Sequence, residues 1–395
     1  MLALGWAIIQ IVPFVPQSWA HPVWQLANGV VGTHLRGTIS MAPWRSATAL
    51  MELCTYAMAA WLARIFASRA ERASFLLNAL IVIGALYAVY ALVLASLGTS
   101  QFQIFYALHS EPEARNVSGP FVNHNSYATY AGLIALCAGV RLVATGWATV
   151  VTARGLPNLA LTLVQYLFGG GVFYLAAATL ALSTLIATGS RGGNFATLTG
   201  MAGLLLMSIT LGNREAKSGW VAGTALAVLA GVAALFAING EFLASRLDDI
   251  AASGLNENTR LLLWDAALRM IHDAPLLGLG LGTYQSAYPL YSDVMMPFVM
   301  DKAHNDYLEL AAGWGLPAAL LWWSALVWLV GICVRGVYHR RRNQLYPMLA
   351  VGASILVGVH SFFDFSLQMP AISLTYATIL GLGVAQAFRT REQAQ

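Results

Sequence analysis

Apolar residues along this chain gather into long uninterrupted runs, and polar residues are confined to the gaps between them. Runs of membrane-spanning length fall near residues 1–16, 46–66, 73–96, 124–144, 160–187, 194–211, 219–238, 311–334, 346–363 and 371–388. The pattern predicts an all-α fold: a polytopic helical membrane bundle of about ten spans. The run 1–16 carries no basic residue ahead of it and is interrupted by Pro13 and Pro16, so it reads as a retained first span and not as a cleaved leader. The gaps divide the chain into N-terminal spans over 1–238, a long polar region over 239–315 and C-terminal spans over 316–395, all within one integrated membrane domain.

Composition agrees with the pattern. Of the 395 residues, 58% are hydrophobic and 10% charged, whereas a soluble domain carries roughly 25% charged residues. That excess cannot be hidden in one aqueous core. The net charge of +4 says little by itself, since what matters is where the charges sit, and no nucleic acid partner is expected. Membrane lipids are the expected surroundings. Cys54, Cys137 and Cys333 lie inside apolar runs, too few and too scattered for a disulfide framework or a zinc site; they are expected to be small buried hydrophobes.

With the N-terminus inside, thirteen Lys and Arg lie on inner segments and eight on outer ones, in the direction of the positive-inside rule. Both termini then face the cytoplasm, as does the cluster Arg340-Arg341-Arg342. Three outer regions stand out, at 17–45, 97–123 and 239–315. The last is the longest, and it is the kind of long insert that more often serves function than mere connection.

Chemistry-bearing residues sit in or beside these outer regions. His304 lies in Lys302-Ala303-His304-Asn305-Asp306-Tyr307-Leu308-Glu309-Leu310, just before the helix that opens the next span. Asn305 or Asp306 is the expected helix cap. A helix N-terminus disfavours a protonated imidazole, so His304 is a candidate general base; a histidine hydrogen-bonded within an interfacial loop is the other reading. Arg191 interrupts two apolar runs in Gly189-Ser190-Arg191-Gly192-Gly193-Asn194. Its fork suits phosphate oxygens and the flanking glycines allow close backbone approach, which favours a binding role over simple snorkelling.

Arg260 is a second candidate, with a salt bridge to Asp265 or Glu257 as the alternative. Arg269 reads as a solvated helix charge. Gly278, Gly280 and Gly282 lack the Lys-Ser/Thr of a phosphate loop and read as a tight re-entry turn. Asn123-His124-Asn125 reads as a helix cap, with a cavity lining as the alternative. Asp364, between phenylalanines, needs an arginine or histidine partner. Glu111 and Glu113 are the one pair that could hold a metal, and solvated charge is the simpler reading.

Taken in order, several motifs resemble the O-antigen ligase and polymerase superfamily. They are Gly119-Pro120-Phe121-x-Asn123-x-Asn125, Ser190-Arg191-Gly192-Gly193, Arg260-x-x-x-Trp264, Asp273-x-Pro275-Leu276-x-Gly278-x-Gly280, His304-Asn305-Asp306-Tyr307-Leu308 with Gly313-x-Gly315-Leu316, and His360-x-x-x-Asp364-Phe365. The likeness covers roughly residues 100–385. It implies a GT-C type glycosyltransferase in the bacterial inner membrane, with its active site on the periplasmic face and helices in the long periplasmic loop. The implied donor is an undecaprenyl-diphosphate-linked glycan and the implied acceptor lipid A–core or another glycan, with no cofactor and no metal. The resemblance gives His304 the role of activating the acceptor hydroxyl, and Arg191 and Arg260 that of binding the donor diphosphate. Asp364, Asn305, Asn123 and Asn125 are implied as supporting residues. Family ligases commonly have about two more spans, which would lie at the N-terminus and raise the total to twelve. Ligase, polymerase and protein O-oligosaccharyltransferase remain open, with the single long outer loop leaning toward ligase. A transporter would place its ionisable groups near the membrane midplane; here they cluster at the outer surface, Glu52 excepted.

Overall fold

The computed structural model describes residues 2–32, 34–99, 116–152, 164–165, 170–211, 255–293, 299–340 and 343–388. Glu111, Glu113, Arg115, Arg341, Arg342, the seventh expected span 219–238 and the first part of the long polar region lie outside these residues. The helices, in chain order, are α1 (Leu2–Ile11), α2 (Val23–Val31), α3 (Pro43–Phe66), α4 (Ala70–Ser96), α5 (His124–Thr152), α6 (Val172–Ala187), α7 (Arg191–Leu211), α8 (Leu255–Asp273), α9 (Tyr284–Tyr291), α10 (Asp306–Trp314), α11 (Leu316–His339), α12 (Leu345–His360) and α13 (Pro370–Ala387). No strand occurs among the described residues.

Five of these helices are long and apolar enough to cross a membrane: α3, α4, α5 over His124–Gly146, α11 and α13. The expected all-helical membrane fold is thus supported, but the count of ten spans is not. Two expected spans are shorter helices: α1 ends before Pro13 and α12 runs for 16 residues; α6 forms the last 16 residues of the expected span 160–187, of which 160–163 and 166–169 lie outside the described residues. The eighth expected span, 311–334, breaks in two. Gly315 adopts φ 78° at the end of α10, a conformation costly for any residue with a Cβ, and Pro317 then opens α11. Cys54 is exposed while Cys137 and Cys333 are buried. The expectation of three buried cysteines fails at Cys54 because an outward-facing position on a membrane helix meets lipid, where a thiol is as much at home as in a core.

The chain forms two compact units. The first comprises Met1–Met58, Leu247–Trp328 and Ser361–Pro370. Its centre is a glycine turn locked against the α10–α11 junction. The amides of Leu279 and Gly280 donate to the carbonyls of Ala312 (3.0 Å) and Gly313 (2.9 Å), and Leu316 donates to Pro275 (2.8 Å). These bonds satisfy carbonyls that the end of α10 would otherwise leave orphaned. Buried Gln10 on α1 completes the lock: its Nε2 donates to the carbonyls of Leu277 (2.7 Å) and Gly313 (3.0 Å), and its Oε1 accepts from Leu281 (3.2 Å). The turn expected over Gly278, Gly280 and Gly282 is present, with φ of 70°, 111° and 72°, and the amides of Leu279 and Gly280 are committed to the helix end. Fully buried Trp314 fills the space beside it and accepts from Trp6 Nε1 (3.0 Å) through its carbonyl.

A Cβ at Gly278 would lie 2.3 Å from the Gly313 carbonyl oxygen and 2.5 Å from the Gly315 nitrogen. Both obstacles are backbone and cannot rotate away. Gly278→Ala is therefore expected to lower the thermal midpoint in detergent by more than Gly29→Ala, whose Cβ meets nothing within 4 Å; equal midpoints would contradict this packing.

The second unit comprises Ala59–Arg246, Leu329–His360 and Ala371–Gln395. Small residues let its helices approach closely, as membrane helix pairs require. A Cβ at Gly132 on α5 would fall 2.2 Å from Thr197 Oγ1 on α7, and one at Gly200 on α7 would fall 2.9 Å from the Gly352 carbonyl on α12. α5 runs through the middle, with 67% of its span window buried.

Candidate active site

In the first unit, the segment before α10 and the loop 361–370 are stitched together by buried polar groups. His304 sits immediately before the cap of α10 with φ 50°. This left-handed conformation costs a non-glycine residue about 1–2 kcal/mol, so the surrounding contacts hold it there. Asn305 caps α10: its Oδ1 accepts from the amides of Tyr307 (3.0 Å) and Leu308 (3.1 Å), while its Nδ2 donates to the Phe362 carbonyl (3.2 Å). Of the two residues considered for this cap, Asn305 takes it. Asp306, as the first residue of the helix, is left to serve another contact.

That contact is the loop 361–370. Asp306 is fully buried, and its carboxylate accepts from Ser361 Oγ (2.8 Å), the Leu367 amide (2.9 Å) and Gln368 Nε2 (3.0 Å). Its own amide donates to the Ser361 carbonyl (2.9 Å). Burial raises its pKa to about 7, against the lowering effect of these three donors. Glu309, one turn on, accepts from the Ala303 amide (2.7 Å) and lies 3.8 Å from Lys302 Nζ, which donates to Gln368 Oε1 (2.6 Å). Burial also raises the Glu309 pKa, opposed by Lys302 and the Ala303 amide.

The product of this scaffold is a His–Asp pair. Asp364 Oδ1 lies 3.2 Å from His304 Nδ1. The contact is within ion-pair range but is not aligned as a hydrogen bond, a looseness common in unliganded sites. Oδ1 also accepts from the Phe365 amide (2.9 Å), and the Phe365 ring meets the imidazole edge-on with centroids 4.9 Å apart. The His304 side chain is 27% exposed and that of Asp364 only 2%. Nδ1 is itself buried, and Nε2 is the ring nitrogen that no described protein group engages. A ring held on one nitrogen by a carboxylate and open on the other can move a proton to or from a bound molecule.

Arg260 belongs to the same unit. It lies on α8, which packs on α10, and it is half-buried. The salt bridge to Asp265 raised as its alternative is not formed: Asp265 pairs with Arg269 (2.6 Å), which also pairs with Asp293 (2.6 Å). Arg269 is thus a bridging charge, where the sequence suggested a merely solvated one. Trp264, one turn beyond Arg260, has a buried Nε1 without a partner.

The remaining candidates belong to the second unit, at one end of it. Ser190 caps α7 through its Oγ, which accepts from the Gly193 amide (3.1 Å), so that Arg191 stands exposed on the first turn. A buried Asn194 Oδ1 nearby has no partner. Asn123 caps α5 by accepting from the Asn125 amide (2.8 Å). Gly193 packs on Ala128, and Thr129 Oγ1 meets buried His360 Nδ1 at 3.0 Å, so the ends of α5, α7 and α12 gather here. The structure therefore brings His304, Asn305 and Asp364 together, and separately gathers the helix ends that carry Asn123, Asn125 and Arg191. Lys302, Glu309, Ser361 and Gln368 are not singled out by the sequence pattern; the acids within 302–310 are the available signal. Among the described residues no group of three or more His, Cys, Asp or Glu side chains is gathered as a metal site would require.

A helical bundle with apolar spans, carrying a histidine and a buried carboxylate paired in a polar region next to a span, describes a multi-pass membrane protein with catalytic potential. Residues 176–323 match a family model described as O-antigen ligase, and this match supports the O-antigen ligase and polymerase superfamily. Members are glycosyltransferase-like ligases and polymerases. Arg191, Arg260 and His304 fall inside the matched stretch; Asn123, Asn125 and Asp364 lie outside it. No curated protein matches the chain.

Proposed function

We propose that this chain is an O-antigen ligase, transferring a glycan from undecaprenyl diphosphate to the lipid A–core acceptor at the periplasmic face of the bacterial inner membrane. Both termini are cytoplasmic in this reading. The observation that carries it is the His304–Asp364 pair, set next to a span within a rigid buried network. Asp364 holds the imidazole with its proton on Nδ1, leaving the Nε2 lone pair for the acceptor hydroxyl. As the acceptor oxygen attacks the anomeric carbon, Nε2 takes its proton. The bond from that carbon to the diphosphate oxygen breaks, and its electron pair leaves on undecaprenyl diphosphate.

Diphosphate is a good leaving group, so no general acid is needed; Arg260, in the same unit as the pair, is proposed to stabilise the charge that develops on it, and Arg191 is proposed as a second donor-binding residue. With that charge met by guanidinium groups, the step asks for no metal. Attack from the face opposite the leaving group inverts the anomeric centre. Asn305 fixes the entry of α10, and Asn123 and Asn125 support the end of the unit that presents Arg191.

Arg191→Lys is expected to lose donor use almost as fully as Arg191→Ala, because a point charge does not reproduce a bidentate fork. Transfer rate against donor concentration checks this; a lysine variant with the wild-type donor requirement would remove Arg191 from diphosphate recognition. The function itself is tested with purified protein, lipid-linked glycan donor and three acceptors in parallel: lipid A–core, a second lipid-linked repeat and a hydroxyl-bearing peptide. Product on lipid A–core is expected. Product on the lipid-linked repeat alone would make the chain a polymerase, and on the peptide alone a protein O-oligosaccharyltransferase. No transfer by folded, donor-binding protein would favour a lipid-linked glycan transporter.

A further inference from the structure

At the end of the second unit opposite Asn123 and Arg191, a second arginine is held in a different way. Arg141 lies 17 residues beyond the start of α5, hence about 25 Å along the helix and close to the far boundary of that span. It is turned inward and half-buried. Its Nη2 donates to Ser74 Oγ on α4, and its Nε donates to Tyr174 Oη on α6 (3.4 Å). Tyr174 Oη in turn donates to Asn78 Oδ1 on α4 (3.1 Å). Tyr346, at the start of α12, is buried close to Arg141 and Ser74.

Four helices thus converge on one guanidinium, and every partner they offer is neutral. Among the described residues no carboxylate pairs with Arg141. Hydroxyl and amide groups satisfy N–H donors but leave the charge uncompensated, and a charge at the edge of the hydrocarbon is costly without a counter-charge. A merely snorkelling arginine would extend into water; this one is oriented by hydroxyls while its site stays partly open, since Ser74, Asn78 and Tyr174 are each only half-buried. Arg64, Arg69 and Arg72 lie around the α3–α4 turn of the same unit, at the end where α4 begins. Clustered basic residues beside a span attract anionic headgroups, and the guanidinium fork matches phosphate oxygens.

We propose that Arg141, with Ser74, Asn78, Tyr174 and Tyr346, forms a binding site for the phosphate group of an anionic phospholipid. The distribution of Lys and Arg along the chain assigns this end to the cytoplasmic leaflet. The site is independent of the glycan-transfer reading and of its residues.

The test uses the full chain in detergent, titrated with phosphatidylglycerol, phosphatidylcholine or inorganic phosphate, with bound lipid counted by native mass spectrometry. Wild-type protein is expected to retain phosphatidylglycerol in preference to phosphatidylcholine. Arg141→Gln is expected to lose about tenfold in phosphatidylglycerol affinity, the worth of one charge-assisted contact. Tyr174→Phe keeps the charge and removes one orienting hydroxyl, so it is expected to show a smaller loss. Equal phosphatidylglycerol retention by wild type and a folded Arg141→Gln would overturn the proposal. If Arg141→Gln does not fold, unchanged retention in both Tyr174→Phe and Ser74→Ala would overturn it instead. Displacement of the lipid by millimolar inorganic phosphate would reassign the site to a soluble anion and overturn the lipid assignment.

Discussion

His304→Ala will reduce glycan transfer by a factor on the order of 10²–10⁴, the usual contribution of a positioned general base, while leaving a folded protein that still binds donor. The prediction rests on position. His304 is the residue that Asp364 Oδ1 approaches at 3.2 Å, and the ring is partly exposed where its partner is not. Nothing else described at this loop combines a proton-accepting nitrogen with an open edge. Alanine also inherits φ 50°, which it tolerates poorly, so lost activity could reflect a moved backbone. His304→Asn separates the two effects, because asparagine accepts the left-handed region readily yet offers no comparable base. Both variants should be inactive, and the asparagine variant should be the more stable of the two by thermal unfolding. Wild-type transfer rates in a folded His304→Asn would remove the proposed base.

The second large effect is on stability. Asp306→Ala removes the acceptor of three donors, buried Ser361 Oγ and the part-buried Leu367 amide and Gln368 Nε2. One such orphan costs about 1–3 kcal/mol; the three share one site and do not simply add, so a loss on the order of 3 kcal/mol is expected. Because these bonds join α10 to the loop carrying Asp364, transfer activity should fall with stability.

The pH dependence carries a definite sign. The folded pKa of Asp306 is raised from 3.8 to about 7, so between those values the folded chain keeps a proton that the unfolded chain has released. Stability contributed by this group therefore falls as pH rises through that window and levels off above about 7. Asp306→Asn, which resembles the protonated acid, should flatten that slope and destabilise less than alanine. Thermal midpoints of the three proteins from pH 4 to 8 check both statements; a wild-type midpoint that rises steadily through the window without change in Asp306→Asn would contradict them.

Much of this was legible in the sequence because it depends on local pattern. Asn305 stands one residue before a helix and its side chain can reach only its own first turn, so its role as a cap follows from position. The glycine turn at 278–282 was likewise foreseeable from residue type, though not its partner: that Leu279 and Gly280 cap the carbonyls of α10 depends on a fold that returns a distant segment. Hydropathy marked the apolar runs but merged α10 with α11, because Trp314 is buried against protein and looks the same to a sliding window as a residue facing lipid. Asp364 announced that it needed a partner; only folding chose His304, sixty residues earlier in the chain. The roles of Lys302, Glu309 and Gln368 were hidden for the same reason, since a carboxylate that secures two loops reads in sequence like any acid near a polar segment.

The most direct test of the central claim follows the leaving group. Purified protein is incubated with the undecaprenyl-diphosphate-linked glycan and lipid A–core, and released undecaprenyl diphosphate is measured beside the glycosylated product and the configuration of its new bond. The account predicts release of intact undecaprenyl diphosphate in equal molar amount to a product of inverted configuration, with neither formed by His304→Asn. Product with retained configuration, or release undiminished in the folded asparagine variant, would contradict it.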